Sequence, residues 1–460
     1  MFLDGSSPWA WTAAASVLVV IFWQSQAQKR RRLPPGPPPL PILGNALDVP
    51  RHHLGLEFWK MTQKYGDLVY LNALGKSMLV IGSQKRSANY SDRPCSVMAE
   101  LTKFDRMFAV RCYGERWRLH RRVFHEAFNV DVVSQFQPVQ LNSARRFLLA
   151  LLNSHHDIAA RLKFSIASNL MRVAYGIDMT EENDKYFDMV ERISETGEAI
   201  SVPGRFPVEA IPSLLYLPRG FLAEASRRWP ARLRRTSRRI DLGAARESFV
   251  SRLLDDASKY DLERAGERDL KSFIGDLTIT IYAGTSPTIC LSVCPDPSSC
   301  HGDVPRRSTK GQEELDRVIG ADRLPDFSDR ESLPYLGALL KELMRWHVIT
   351  PIALPHAVME DDIYNGYLIP GGTAVAVNVW AIARDPELYP DPDAFLPERK
   401  PGPSEWAFGF GRRICPGLHF AEAFLFIYVA SILHAFSMRR PSTPTGLPSS
   451  SCTTPRRSAS

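Results

Sequence analysis

The segment FGFGRRICPG, which contains Cys415, is the feature that most restricts the fold of this chain. A cysteine that binds a metal must stay deprotonated in an apolar interior, and backbone N–H groups and a helix N-terminus both favour its anion. Gly411 and Gly417 permit tight turns beside a flat cofactor, and Pro416 is a favourable first residue for a following helix. Arg413 could pair with an anionic group at the cofactor edge. The segment therefore predicts a metal-binding thiolate loop, or else a glycine-rich loop around a buried, inert cysteine.

The composition indicates a folded chain with a large core. Of its 460 residues, 44% are hydrophobic and 23% are charged, which excludes a disordered polymer and a multi-span membrane protein. Lysine plus arginine exceed aspartate plus glutamate by 57 to 50, but this excess is spread along the chain, whereas nucleic-acid binding usually needs a concentrated basic stripe. Seven cysteines, an odd number, favour a reducing compartment over a disulfide scaffold.

Residues 1–28 are predicted to form an uncleaved membrane anchor. Trp9–Trp23 carry no charge, although this run is slightly shorter than the about 17–25 apolar residues that usually span a bilayer. A signal peptide has positive charge before its apolar run, whereas this chain has Asp4 there and its cations afterwards, at Lys29–Arg32. The positive-inside rule then places the rest of the chain in the cytoplasm. The basic and proline-rich residues 29–45 would form a stiff hinge, and a signal peptide or a buried core helix remain the alternatives for the anchor.

Hydrophobic periodicity predicts a mainly helical domain with a smaller strand region formed by 67–82 and 350–380. Helices are predicted for most of 114–260 and at 54–65, 269–282, 312–319, 335–347 and 418–436. The best-defined strands are predicted at 67–72 and 77–82. The tail 437–460 has almost no hydrophobic content and is predicted to be disordered.

Residues 408–417 resemble the haem-binding signature of the cytochrome P-450 family, Phe-x-x-Gly-x-Arg-x-Cys-x-Gly. Three further pieces resemble family motifs in the same order: Trp117-x-x-x-Arg121, Glu342-x-x-Arg345 and Pro397-Glu398-Arg399. The anchor and hinge resemble those of microsomal members, and the segments NYSDRP (89–94) and DPELYP (385–390) resemble fungal ones. The resemblance extends from residue 1 to about residue 436.

The resemblance implies the P-450 fold, in which a mainly helical domain, here 46–436, encloses haem b after an N-terminal transmembrane helix. It implies that Cys415 is the axial thiolate ligand of the iron. It assigns haem binding to Trp117, Arg121, His356, Phe408, Gly411, Arg413 and Gly417. It assigns a structural network behind the haem to Glu342, Arg345 and Arg399, and the oxygen-binding site to Ala283, Gly284 and Thr288.

The implied function is a haem-thiolate monooxygenase that inserts one oxygen atom from O2 into a small apolar organic substrate, in fungal secondary or xenobiotic metabolism. Electrons would come from NADPH through NADPH-cytochrome P-450 reductase, with cytochrome b5 as a further candidate donor. The implied location is the endoplasmic reticulum membrane, with a single span and a cytoplasmic domain; no nucleic-acid partner is expected. Arg118, Arg121 and Arg122 are candidate contacts for the acidic reductase, although a solvated helix face explains the same charges.

Three places depart from the family pattern. Ser286 and Pro287 stand where the family has an acid and a threonine, and a proline inside a helix is unfavourable by ~3 kcal/mol or more. Residues 285–310 lack helical periodicity, which suggests a shifted reading frame or a mis-set splice boundary. Neither a B helix after strand 77–82 nor the family's C-terminal strand hairpin is predicted.

Two other functions are compatible with the sequence. A degenerate or mis-spliced member of the family would bind haem weakly and would lack catalysis. A zinc site could involve Cys290, Cys294, Cys300 and His301, although this spacing suits no familiar zinc finger. A thiolate-type band in the reduced carbon monoxide spectrum favours the monooxygenase, and zinc in place of iron favours the metal site.

Overall fold

The computed structural model of the chain describes residues 32–85, 87, 108, 111, 113–153, 158–179, 187, 247–267, 269–283, 304–399, 404–438 and 453–455. The predicted anchor at 1–28 and most of the departure at 285–310 lie outside these residues. The described helices are α1 (Leu54–Tyr65), α2 (Glu115–Phe128), α3 (Gln137–Asn153), α4 (Ile158–Tyr175), α5 (Phe249–Asp255), α6 (Leu270–Ala283), α7 (Val304–Ile319), α8 (Pro334–Trp346), α9 (Val379–Ala383), α10 (Ser404–Ala407) and α11 (Leu418–Ala435). The predicted mainly helical fold is confirmed.

Helix α11 lies at the centre of the main core. Its sequence LHFAEAFLFIYVASILHA is apolar on nearly every side, and such a helix is stable only where other elements surround it. It packs against α3, α7 and α8, and Phe426, Ile427 and Tyr428 on it have 1% exposure or less. Within the described residues α11 is long and apolar enough to cross a membrane, but 72% of its most apolar stretch is buried in protein, as in a core helix.

Helix α2 has one apolar face and one charged face. Trp117, His120, Phe124 and Phe128 follow the spacing of one helix face, and all four are buried. The opposite face carries exposed charges, among them Arg122. The pattern fixes the rotation of α2 about its axis, and so decides which side chains point towards the core.

Within the described residues, the strands form one four-stranded sheet and two antiparallel pairs. The strands are β1 (Leu68–Ala73), β2 (Lys76–Ile81), β3 (His356–Ala357), β4 (Asp362–Tyr364), β5 (Tyr367–Ile369), β6 (Ala374–Val377), β7 (Phe436–Met438) and β8 (Thr453–Pro455). The sheet order is β1-β2-β6-β3. Strand β2 runs antiparallel to β1 and parallel to β6, while β3 runs antiparallel to β6. The predicted strand region at 67–82 and 350–380 is therefore confirmed.

Two predictions from the sequence differ from the structure. Helix α7 begins at Val304 rather than at 312, so the absence of helix over 285–310 was wrong for 304–310; Pro305 is compatible because the first turn of a helix tolerates proline. The tail prediction was also wrong for 437–438 and 453–455, where β7 pairs antiparallel with β8. Gln84, Lys85 and Ser87 are helical, while 88–100, where a B helix would continue, lie outside the described residues.

Candidate active site

Cys415 lies in a tight loop directly before α11. Its N–H donates to the carbonyl of Phe408 at 2.7 Å, which closes the loop on itself. Gly409 and Gly411 have φ values of 87° and 52°, a left-handed region that side chains strongly disfavour. Gly417, for which a special turn was predicted, has φ −96° instead and is the N-cap of α11. The left-handed turns thus lie before the cysteine rather than after it.

Burial and the groups near Cys415 shift the pKa of its thiol in opposite directions. Burial raises the pKa of its thiol above the ordinary value, while the Gly417 N–H and the charge of Arg121 both lower that pKa; burial dominates. Without a cation the side chain is therefore a thiol at neutral pH. A metal ion bonded to the sulfur would replace the proton, because the charge of the ion offsets the unfavourable burial of a thiolate.

Arg121 connects α2 to this loop. Its Nη1 donates to the carbonyl of Ile414 at 2.6 Å, and burial lowers the pKa of its guanidinium. The partly buried side chain is therefore directed at the cysteine loop, while its contact with a reductase stays a prediction. Arg118 and Arg122, in contrast, are exposed on the outer face of α2.

Arg413 and Trp117 form a stacked pair with unsatisfied donors. The guanidinium of Arg413 lies 4.3 Å from the centroid of the Trp117 ring, a favourable cation–π geometry. Arg413 Nη1 and Trp117 Nε1 are both buried, and neither has a hydrogen-bond partner among the described residues. Burial and the neighbouring charge of Arg121 lower the pKa of Arg413 to about 10.

His356 adds a fourth polar side chain to the same region. Burial, and then the charge of Arg413, lower the pKa of His356 to about 4, so the imidazole is neutral at pH 7. Two partly buried guanidiniums, an indole N–H and a neutral imidazole thus lie close to one another. Buried donors that lack partners are unfavourable by about 1–3 kcal/mol each. A bound anion would give these donors partners, and the two carboxylates of haem b carry the opposite charge that such a site would need.

Comparison with known proteins decides the family. The family model described as "Cytochrome P450" matches residues 34–456. The chain belongs to the cytochrome P450 family. It is 33% identical to cytochrome P450 monooxygenase COX1 of Coprinopsis cinerea, over 90% of this chain and 86% of that protein. It is 35% identical to cytochrome P450 monooxygenase 105 of Postia placenta, over 87% of this chain and 81% of that protein. It is 32% identical to cytochrome P450 monooxygenase claR of Ampulloclitocybe clavipes, over 93% and 84%.

A buried ion-pair network stabilises one side of this cytochrome P450. Arg345 is fully buried on α8 and binds Glu342 through two hydrogen bonds of 2.8 Å. Its Nη1 also donates to the carbonyls of Ala383 and Pro392, at 2.8 Å each. Arg399 reaches the same Glu342 carboxylate at 3.3 Å. The three predicted network residues therefore lie together, and they fasten the irregular segment 383–399 to α8.

The region predicted to bind oxygen is described only as far as the end of α6. Ala283 is the last residue of that helix, while Gly284 and Thr288 lie outside the described residues, as do the four residues of the alternative zinc site. In the segment before β3, Ile352 forms an isolated antiparallel β-bridge with Asn378, and the side chain of Leu354 is 43% exposed.

Sequence reasoning missed two features of this P450. The first is Arg412, which is exposed and lies over the ring of Tyr113 at 5.9 Å; its adjacency to Arg413 within the signature was an available signal. The second is a buried ionic cluster around His120, which joins α2 to α6. The sequence carries no signal for that cluster, since its members are far apart in the chain.

Proposed function

We propose that this chain is a haem-thiolate monooxygenase that inserts one atom of O2 into an apolar organic substrate. The observation that carries the proposal is the closed loop around Cys415 together with the buried donors of Arg413 and Trp117, which have no partner in the part of the chain that the structure describes. Haem b, when bound through the thiolate, supplies an iron whose electron density favours O–O cleavage. The fungal relatives named as cytochrome P450 monooxygenases support the reaction type, and the proposal includes a role in fungal secondary or xenobiotic metabolism.

In this proposal each residue of the site has a defined task. Cys415 binds the iron as a thiolate, and Arg121 fixes the loop through the Ile414 carbonyl while its charge favours the anion. Arg413, Trp117 and His356 bind the carboxylate edge of the haem. Neutral His356 is able to donate one hydrogen bond without adding a third positive charge beside Arg413.

Electrons would reach the site from NADPH through a flavoprotein reductase, with cytochrome b5 as the further candidate. The exposed cations Arg118, Arg122 and Arg412 support this proposal, because they lie on α2 and on the cysteine loop, which Arg121 joins through a hydrogen bond. An acidic patch on the partner would be attracted to them, and such attraction raises the association rate at low ionic strength.

The proposed location is the endoplasmic reticulum membrane, with residues 1–28 as anchor and 29–45 as hinge. The uncharged run Trp9–Trp23 and the cations Lys29–Arg32 support it. Deletion of 1–28 should move the protein from the membrane pellet to the supernatant while its haem spectrum persists. Retention of the deleted form in a carbonate-washed pellet would contradict the anchor.

The competing function is a family member that binds haem without catalysis. Ser286 and Pro287 favour it, because the family pattern has an acid and a threonine at these positions for proton delivery. The double substitution Ser286→Asp with Pro287→Thr separates the two functions. Substrate-dependent oxygen uptake that is present only in the substituted protein would identify the natural chain as the non-catalytic form.

The reduced carbon monoxide difference spectrum tests the proposed function directly. The purified full-length protein should give the thiolate-type Soret band. Cys415→Ala should abolish that band, and Cys452→Ala, in the C-terminal tail, should leave it unchanged. A thiolate-type band in the Cys415→Ala protein would overturn the proposal, and so would the absence of haem from the natural chain.

A further inference from the structure

Five ionisable side chains form a buried cluster between α2, α6 and the segment before each helix. Their exposures are low: 6% for Arg111, 8% for Glu267 and none for His120 or Asp276. The fifth member, Arg116, has one third of its side chain exposed. We call these residues the Arg111 cluster: Arg111, Arg116, His120, Glu267 and Asp276.

The charges within the Arg111 cluster balance. Arg111 binds Asp276 at 2.9 Å and Glu267 at 3.3 Å. Arg116 binds Glu267 through Nε at 2.6 Å and through Nη2 at 2.8 Å, and it reaches Asp276 at 3.2 Å. Burial lowers the pKa of His120 to about 3, so the imidazole is neutral. Two cations therefore face two anions.

The cluster is not arranged as a metal site. His120, Glu267 and Asp276 each offer a ligand atom within 4.8 Å of the others. However, both carboxylates already accept hydrogen bonds from two guanidiniums. A divalent cation would have to displace those donors and would face their two positive charges at short range, which is strongly unfavourable in a buried site.

Arg111 also contacts the cysteine loop, through its backbone. Its carbonyl accepts a hydrogen bond of 3.1 Å from Arg413 Nη2. The other terminal nitrogen of Arg413, Nη1, is buried and has no hydrogen-bond partner among the described residues, and the guanidinium lies beside the ring of Trp117. The side chain of Arg111 thus binds Asp276 on α6 and Glu267, while its carbonyl accepts a hydrogen bond from the guanidinium of Arg413.

This double attachment has a consequence for the orientation of Arg413. An arginine side chain has many rotamers, and one stacking contact fixes the plane of its guanidinium but not its rotation within that plane. A hydrogen bond from Nη2 fixes the rotation, provided that the accepting carbonyl is itself held in place. Two buried ion pairs hold the Arg111 carbonyl, because any movement of that residue would break charge-assisted hydrogen bonds.

We propose that Arg111 is a positioning residue that aims Arg413 Nη1 at the carboxylate edge of the haem and couples that edge to helix α6. The inference rests on the proposed function and deepens it. Arg111 acts through Arg413 and does not itself touch the haem.

Arg116 provides a matched control. It binds the same two carboxylates from the first turn of α2, so its removal unbalances the same buried charges. Its carbonyl, however, accepts from His120 Nδ1 at 2.7 Å rather than from Arg413. If the cluster only stabilised the fold, substitution of either arginine would affect haem loss in the same way. The proposal instead predicts that only the effect of Arg111 depends on Arg413.

The test is a double-mutant cycle on the rate of haem loss, measured by transfer to apomyoglobin from the full-length holoprotein. Arg111→Met should accelerate haem loss about tenfold in the natural background, as expected for a misaligned charge-assisted hydrogen bond, but less than about twofold when Arg413 is already methionine. Arg116→Met should change the rate by one and the same factor in both backgrounds. If Arg111→Met does not fold, Arg111→Lys, which keeps the charge but offers a single ammonium, replaces it in the cycle.

The outcomes are distinguishable from a failure of the proposed function. Haem in the natural chain together with equal factors for Arg111→Met in both Arg413 backgrounds overturns the positioning role alone. Non-additivity at Arg111 combined with additivity at Arg116 supports it. A natural chain that binds no haem overturns the proposed function, and the positioning role falls with it.

Discussion

Arg121 on α2 donates a 2.6 Å hydrogen bond to the carbonyl of Ile414, the residue directly before Cys415. The two residues are 293 positions apart in the sequence. The bond ties the cysteine loop to α2, whose apolar face is buried in the main core. The geometry of the thiolate loop therefore depends on an element from the first third of the chain.

This bond leads to a prediction for haem retention. Arg121→Ala should reduce the haem content of purified protein and accelerate haem loss about tenfold or more, because a hydrogen bond from a charged donor is worth about 1.5–3 kcal/mol. Arg118→Ala, three residues earlier on the exposed face, removes a surface pair with Glu115 and a contact with the Tyr113 ring, and it should leave haem content unchanged. The pyridine haemochrome assay gives haem per chain. Equal values for the two variants would show that the hydrogen bond from Arg121 to Ile414 does not help to retain haem.

The pKa of Cys415 predicts the reactivity of the haem-free protein. Burial raises that pKa above the ordinary value, so the thiol should react slowly with iodoacetamide at pH 7 and faster as the pH rises through the range above 9. Arg121→Gln should shift this rise to still higher pH, because one of the charges that favour the anion is removed. Peptide mapping after timed alkylation resolves Cys415 from the other cysteines. A fast reaction of Cys415 at pH 7 would contradict a raised pKa of its thiol.

The raised pKa of Cys415 also determines how the stability of the haem-free protein changes with pH. The folded state holds the Cys415 proton more tightly than the unfolded chain does, so the resulting stabilisation of the haem-free protein is present below the ordinary thiol pKa and is lost as the pH rises through the higher folded value. Cys415→Ser, whose hydroxyl does not titrate in this range, should flatten that alkaline decline. Urea unfolding of the haem-free protein between pH 8 and pH 10 measures the difference.

His356 predicts acid sensitivity. Its pKa is about 4 in the fold and 6.5 ordinarily, so the unfolded chain binds a proton first as the pH falls. The stabilisation from the neutral imidazole is present above pH 6.5 and is lost between 6.5 and 4, with a total of ~3 kcal/mol. His356→Gln should reduce this decline in the free energy of unfolding. A decline of the same size in the variant would assign the effect to other groups, such as His120.

The network around Arg345 predicts a large loss of stability. Arg345→Met leaves the buried Glu342 carboxylate without its main partner and should destabilise the protein by about 3–5 kcal/mol. The control is Glu398→Gln, which breaks a pair with Lys310 whose side chains are 55% and 47% exposed and should change stability by less than about 1 kcal/mol. Denaturant midpoints compare the two variants. Similar midpoints would show that the network contributes little.

Much of the fold followed from local pattern. The helix predicted at 54–65 is α1, and the helix and strands predicted at 418–436, 67–72 and 77–82 lie within a residue of α11, β1 and β2. Hydrophobic periodicity reports which face of an element is buried, and this holds wherever the element is long or regular. The failures at 304–310 and 437–438 had a different cause. Proline in a first helical turn resembles a break, and backbone pairing between β7 and β8 leaves no hydrophobic signature.

The sequence by itself determined the cysteine loop, the residue types around it and the family, because these depend on a short run of neighbouring residues. Only the tertiary structure decided that Arg121 turns inward to Ile414, that Arg413 stacks on Trp117, and that Arg111 reaches Asp276 across 165 positions. The physical reason is that a charge in a sequence can be solvated or paired, and burial against a particular partner selects between the two. That partner is set by the packing of helices, which local sequence does not encode.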